Sequence, residues 1–369
     1  MTSVTRPLAP VADLFPTIPS VVAGARQVLT PELWDHSAGG VEFETTLRRN
    51  RTAFERIGFR PRVMRDVRGR STASSFLGRN LRLPVMLAPV GSVHRFDPAG
   101  AISAARTAER SGTVMFLSTA ALPGISAIRD AGVEAPIVYQ LYAFGDRAWI
   151  SDRVRLIEEA RCIGLCFTAD TPVNGIRDRN LRNHLTPRTG DLAFGYREHF
   201  TWDDFDWLRS ITNLPLIVKG LTSPADAELA VEHGADIVYV SNHGGRQLDH
   251  QPGAVEVLPA MVDAVAGRAD IVFDSGILRG SDVIKAIALG ASAVGIGKLQ
   301  VWSLGAGGED LLEWTIELLR DEMLSVMGLL GVRTLEELGS EHLCELTSAL
   351  DTSWVGFQSS PVQSPHDGL

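Results

Sequence analysis

From residue 83 onward, short apolar segments rich in β-branched residues alternate with longer stretches whose apolar positions recur at helical spacing. Eight such segments stand out: Leu83–Ala88, Val114–Ser118, Ile137–Tyr142, Gly164–Ala169, Leu214–Lys219, Ile237–Val240, Ile271–Ser275 and Ala293–Ile296. Runs apolar on both faces, each followed by a helix, predict buried parallel strands. Eight of them predict an α/β fold with the sheet closed on itself, a (β/α)8 TIM barrel. Ahead of the strands the spacing predicts two helices, 21–34 and 41–57, separated by Asp35-His36-Ser37-Ala38-Gly39-Gly40 and forming an N-terminal helical cap. The segment Ser71 to Arg82, with Gly78-Arg79-Asn80 near its end, reads as a hairpin across the barrel floor. Residues 1–20, interrupted by Pro7, Pro10, Pro16 and Pro19, read as a flexible, extended lead.

One connection is long. Between Asp170 and Thr201 no period persists, and Pro172, Gly175, Pro187, Gly190 and Gly195 punctuate it. A loop of that length leaving the carboxyl end of the fourth strand suits a lid. Helix resumes behind the cap residue Thr201, and an amphipathic helix is expected from Gly307 to Leu330. The expected organisation is a lead over 1–20, one barrel domain over 21–355, and a flexible tail over 356–369.

Composition narrows the function. The chain has 369 residues, 45% hydrophobic and 21% charged, ordinary for a large core, and no composition shift marks a linker. A net charge of −9 argues against a nucleic-acid partner, which needs a basic surface. The three cysteines, Cys162, Cys166 and Cys344, form no disulfide framework and suit a reducing compartment. No run is long enough for a membrane span, the start lacks the pattern of a signal peptide, and the carboxyl end carries no peroxisomal address, so a cytoplasmic protein is expected. No metal site is assigned.

The strand ends carry the chemistry, since barrels of this type work at that face. Strand six runs out into Ser241-Asn242-His243-Gly244-Gly245-Arg246-Gln247-Leu248-Asp249, where a base and a cation separated by glycines can reach one small ligand. The other strands end in Pro89-Val90-Gly91-Ser92, Ser118, Gln140 and Tyr142, Thr168 and Asp170, Lys219, Asp274-Ser275-Gly276, and Gly297-Lys298, which together line a polar cup. After strands seven and eight, the glycines, a helix beginning at Ser281, and the cations Arg279 and Lys298 favour a phosphate-bearing cofactor.

The string SNHGGRQLD resembles the active-site signature of the FMN-dependent 2-hydroxy acid oxidoreductases, the family of glycolate oxidase, lactate oxidase and mandelate dehydrogenase, and the resemblance extends from about residue 20 to about residue 350. It implies FMN as cofactor, with Ser118, Gln140 and Thr168 on the isoalloxazine edge and Lys219 stabilising the reduced ring. It further implies His243 as the base, Asp170 as the group that orients it, Arg246 and Arg177 on the substrate carboxylate, and Tyr142 on the substrate. The reaction implied is oxidation of a 2-hydroxy acid to a 2-keto acid. Electrons would leave FMN for oxygen or another acceptor, with an oxidase slightly favoured because Gly91 leaves room behind the ring. Family members commonly form homotetramers, for which Trp302 and Trp314 are interface candidates, although core packing is the plainer reading of both.

Three positions depart from the family. His36 stands where a substrate-binding tyrosine is usual, Leu278 replaces an arginine used at the phosphate, and Lys298 replaces another. With Ala120 and Ala121, His36 hints at room for a bulky 2-hydroxy acid. His184, Arg188, Tyr196 and His199 in the lid read as solvated residues rather than ligands. The competing readings are an FMN barrel of different, isomerase-like chemistry and a barrel that binds flavin or phosphate without catalysis.

Overall fold

The computed structural model describes residues 9–185 and 195–346. Eight parallel strands close into a barrel: β1 (Val85–Leu87), β2 (Met115–Ser118), β3 (Ile137–Leu141), β4 (Gly164–Thr168), β5 (Leu216–Leu221), β6 (Ile237–Val240), β7 (Asp270–Phe273) and β8 (Ala293–Ile296). They lie in sequence order, with β8 pairing β1 to complete the ring. All eight expected strands are present, shorter by a residue or two at several ends.

Alternation along the strands divides the core in two. Side chains turned inward, among them Met86, Phe116, Val138, Cys166, Ile217, Tyr239 and Val272, fill the barrel. Those turned outward pack against the helices. Tyr239 takes up so much of the interior that a Cβ on Gly295 would lie 2.1 Å from its hydroxyl, which requires glycine there. The hairpin Ser74–Phe76 and Arg79–Leu81 turns through the left-handed residues Leu77 and Gly78. It plugs the floor with Phe76 and Leu81, as its sequence suggested. A buried phenylalanine contributes on the order of 1.5–3 kcal/mol, so the plug is a substantial part of what closes the barrel base.

The N-terminal region differs from the sequence reading. Helices run over Ala9–Leu14, Ile18–Val28, Pro31–Ala38 and Thr45–Glu55, so the described part of the supposed extended lead, residues 9–20, is largely helical. The reason lies in the prolines. Pro19 and Pro31 occupy first-turn positions, where the missing N–H costs nothing, and Thr17 and Thr30 cap the two helices. One break therefore falls at Leu29–Thr30 and a second at residues 39–44, overlapping the expected one at Gly39-Gly40, and His36 sits on a helix rather than in a turn. Trp302 stacks on Trp34 at 5.2 Å and donates to Ser37 Oγ, while Trp314 donates to the carbonyl of Phe15. Trp314 thus pins the lead, and Trp302 the helix Pro31–Ala38, onto the last helix of their own chain.

That last helix spans Lys298–Leu330 and is broken at Gly307 and Gly308, so the expected helix is its second arm. The connection after β4 contains a short helix, Asp178–Arg182, and a 3-10 turn, Gly195–Glu198. Arg188 and the expected tail 356–369 lie outside the described residues. A small pairing of Ile57–Phe59 with Leu343–Glu345, not foreseen from the pattern, ties the two ends of the barrel domain together. Among the described residues no helix is long and apolar enough to cross a membrane.

Candidate active site

Beyond β6 the backbone turns left-handed at three consecutive residues, His243 (φ 57°), Gly244 (φ 67°) and Gly245 (φ 71°). A Cβ at Gly245 would press to 2.5 Å from the backbone nitrogen of Leu47, so glycine is required where the turn meets the N-terminal region. The turn's amides are held by side chains: His243 N–H donates to Ser241 Oγ, Gly244 N–H to Ser275 Oγ, and Gly245 N–H to Asn242 Oδ1. A non-glycine residue in this conformation is strained, and the turn carries the imidazole to Asp170.

His243 Nδ1 lies 3.0 Å and 3.2 Å from the two carboxylate oxygens of Asp170. Burial lowers the imidazole pKa below its usual range even though Asp170 pulls the other way, so the ring rests neutral with Nδ1–H donated and Nε2 bare. Burial would raise the Asp170 carboxyl, but His243 and Lys219 outweigh it and hold it ionised. Gly220, at φ 103°, makes room: a Cβ there would sit 2.5 Å from Asp170 Cγ.

Lys219 is held beside this pair. Its ammonium donates to Ser241 Oγ at 2.8 Å, lies 3.3 Å from Asp274 Oδ2, and packs over the Tyr239 ring. Burial opposes its charge, yet Asp274 and Asp170 raise its pKa, so it remains a fixed cation at the barrel mouth. Ser241 and Ser275 both donate to Asp274 Oδ1.

Arg177 and Arg246 come from separate segments and meet. Arg177 Nε donates to the Arg246 carbonyl and its Nη2 to Gln247 Oε1, while Arg246 Nη1 donates to the carbonyls of His36 and Gly39. Burial, followed by the nearby Arg177, lowers Arg246 to about 9. Burial also lowers Arg177. Two desolvated guanidinium groups that destabilise each other favour an anion. Tyr142 is close enough to couple with both arginines and with Asp170; burial first, and then Asp170, raises its pKa.

At the ends of β2, β3 and β4 lie buried polar groups suited to a flat polar ligand. Both amide atoms of Gln140 and the hydroxyl of Thr168 are buried without a protein partner, and Ser118 pairs across the ladder with Gln140. Leaving such a group unpaired costs about 1–3 kcal/mol, so this row fits a ring that supplies the missing donors and acceptors. Pro89, Val90 and Gly91 run alongside, half-buried, and a Cβ on Gly91 would touch Ala120 Cβ at 3.0 Å. The residues here fit the polar edge of an isoalloxazine.

The other expected residues do not all converge. Arg279 turns to Glu322, with Nε 2.9 Å and 3.0 Å from its two oxygens. Lys298 Nζ donates to the carbonyls of Ser37 and Ala38. His36 uses both ring nitrogens, Nδ1 with Asn180 Oδ1 at 3.3 Å and Nε2 with Ser92 Oγ at 3.0 Å, and burial lowers its pKa to about 3. It is thus an uncharged bridge between the helix Asp178–Arg182 and the loop after β1. Leu278 and Ala121 are buried in the core, whereas Ala120 is exposed. Tyr196 donates to Asp204.

Sequence reasoning missed three participants. Gln247 braces Arg177 and the backbone at Asp170 and Val173, and its place inside the SNHGGRQLD string was the available signal. Asn180 holds His36, and Arg197 lies over the Tyr142 ring at 5.7 Å; no local pattern announced either.

Residues 25–195 and 191–345 match the model of a family described as FMN-dependent dehydrogenase. Glycolate oxidase of Spinacia oleracea is 36% identical over 362 residues, covering 92% of this chain and 96% of that protein. A 2-hydroxyacid oxidase of Dictyostelium discoideum is 34% identical over 348 residues, covering 89% and 90%. Among solved structures, mandelate oxidase with (S)-2-phenylpropionate superposes with a TM-score of 0.82 at 36% identity, covering 90% of this chain and 98% of that one.

Proposed function

Because the chain belongs to the FMN-dependent dehydrogenase family, we propose that it oxidises a 2-hydroxy acid to the 2-keto acid as an oxidase. FMN, when bound, supplies the two-electron acceptor and passes those electrons on to oxygen. Gln140, Thr168 and Ser118 would hold the ring edge, with Pro89, Val90 and Gly91 beside it. Lys219 would stabilise negative charge on the reduced ring, and Ser241, Asp274, Ser275, Gly276 and Gly297 would frame the cofactor's remaining reach.

The observation that carries the reading is the neutral His243, backed by Asp170, beside two half-buried guanidinium groups. Arg177 and Arg246 bind the carboxylate, which fixes the α-carbon, and Tyr142 hydrogen-bonds the substrate. His243 Nε2 then accepts the proton released as the substrate's O–H or Cα–H bond breaks, and Asp170 stabilises the imidazolium as it forms. Isomerase-like chemistry would have no need of paired arginines around a base, and a barrel that only bound flavin would have no need of a base held by a carboxylate. The family commonly assembles as a homotetramer, and three thiols without a disulfide suit the cytoplasm.

The decisive experiment mixes the yellow holoenzyme anaerobically with glycolate, (S)-lactate and (S)-mandelate in turn. Bleaching of the flavin by at least one, with peroxide appearing when air is admitted, is expected. A flavin reduced by none of them would remove the proposal.

The acid limb of kcat/KM against pH should fall below pH 6.5, because burial lowers His243 from that ordinary value and activity is lost only as the base becomes protonated. Asp170→Asn should move the limb lower still, since the carboxylate is what opposes burial. A limb above 6.5 in the wild type would assign the base elsewhere.

A further inference from the structure

The two ends of the cofactor berth are built unequally. At the ring end, polar groups wait without partners. At the phosphate end, Arg279, Lys298 and the amides of one of the two helix termini are already engaged.

Two helix amino termini follow β7 and β8. The first, Gly280–Ala288, has its leading amides taken by carboxylates: Leu278 N–H and Arg279 N–H donate to Asp282 Oδ2 at 3.0 Å, and Gly280 N–H donates to Glu322 Oε2 at 2.7 Å. Arg279 is paired with that same Glu322, its Nη2 2.7 Å from Oε1. Arg51 is drawn in as well, onto Asp282 Oδ2 at 2.7 Å. A terminus that would otherwise attract an anion carries two carboxylates instead. Leu278, next to it, is apolar and packed in the core.

The second terminus begins at Lys298 and has no side-chain cap; a Cβ on its N-cap residue Gly297 would meet only Ala88 Cβ, at 4.0 Å. It is open to an anion. Its one cation, however, lies on the carbonyls of Ser37, Ala38 and Gly39, at 2.6, 3.0 and 3.4 Å. Those carbonyls close the helix Pro31–Ala38, and Arg246 draws on the same turn through Gly39. Any bond from Lys298 to phosphate must compete with this arrangement, so the gain from the exchange is the difference between two sets of hydrogen bonds.

We infer that this chain holds its flavin chiefly through the ring and that the 5′-phosphate adds at most tenfold to the affinity, so that riboflavin competes effectively with FMN. The inference rests on the flavin reading above and goes beyond it in saying which end of the cofactor is recognised.

The test dialyses the holoenzyme against equal concentrations of FMN and riboflavin and measures the flavins retained on the protein by chromatography after denaturation. A retained ratio of FMN to riboflavin at or below about ten to one is expected, since the described residues at this end offer one amine that is already engaged and one open helix terminus. A ratio above that overturns the inference while leaving the flavin reading intact. Retention of neither flavin would overturn both. Glu322→Gln removes a carboxylate from the first terminus and frees Arg279. It should raise the ratio about three- to tenfold, and an unchanged ratio would show that these carboxylates do not set the preference.

Discussion

His243→Asn is expected to keep its flavin and to lose about 10²–10⁴-fold in the rate at which a 2-hydroxy acid reduces it, the range spanned by a positioned proton acceptor. Asparagine is the right replacement because the residue sits at φ 57°, where asparagine is tolerated and alanine adds strain. The turn that carries Arg246 should therefore survive, its amides still held by Ser241, Ser275 and Asn242. What disappears is the bare Nε2. In the wild type Nδ1–H is donated to Asp170 and burial keeps the ring neutral, so the only lone pair on the imidazole faces away from the carboxylate. An amide cannot take up a proton in its place. Stopped-flow absorbance under anaerobic conditions reads the step directly, and dissociated flavin is counted separately after filtration. A reduction rate within threefold of wild type would show that another group takes the proton.

How much of this could be read from the sequence depended on whether the signal was local. The barrel was legible because each strand is a short, uninterrupted apolar run, and parallel strands buried on both faces write themselves that way. His243 and Arg246 were legible as candidates because one turn carries both. Helix boundaries near the amino end were misread because a proline is ambiguous by itself: at Pro19 and Pro31 it starts a helix, and only the caps at Thr17 and Thr30 reveal which case applies. Side-chain direction was the part least written in the sequence. Arg279 follows a glycine-rich strand end and looks like a phosphate ligand, but a glutamate 43 residues on, Glu322, claims it. Lys298 and His36 are similar cases. Each has the right chemistry for a ligand, and each is held by a group from a distant segment, the carbonyl end of the helix Pro31–Ala38 for one and Asn180 with Ser92 for the other.

Arg177→Met is expected to lower kcat/KM for the acid substrate by about 10²–10³-fold, mostly through KM, as loss of a buried charge-assisted contact does. Arg177 is the cleaner of the two arginines to remove. Arg246 also holds the carbonyls of His36 and Gly39, so its loss would disturb the turn as well as the substrate. Among the described residues Arg177 donates to Gln247 and the Arg246 carbonyl, and its charge is one of the forces that lower Arg246 to about 9. In the variant Arg246 should therefore hold its proton more firmly, and part of the carboxylate contact should persist. This predicts a loss short of complete inactivation. Pairing the variant with the methyl ester of the same hydroxy acid separates recognition from structure, because the ester offers no charge for Arg177 to meet. The wild type should process the ester poorly, and Arg177→Met should process it no worse than the wild type does. If acid and ester suffered equally from the substitution, the guanidinium would be bracing the loop after β4 and would not be reading the carboxylate.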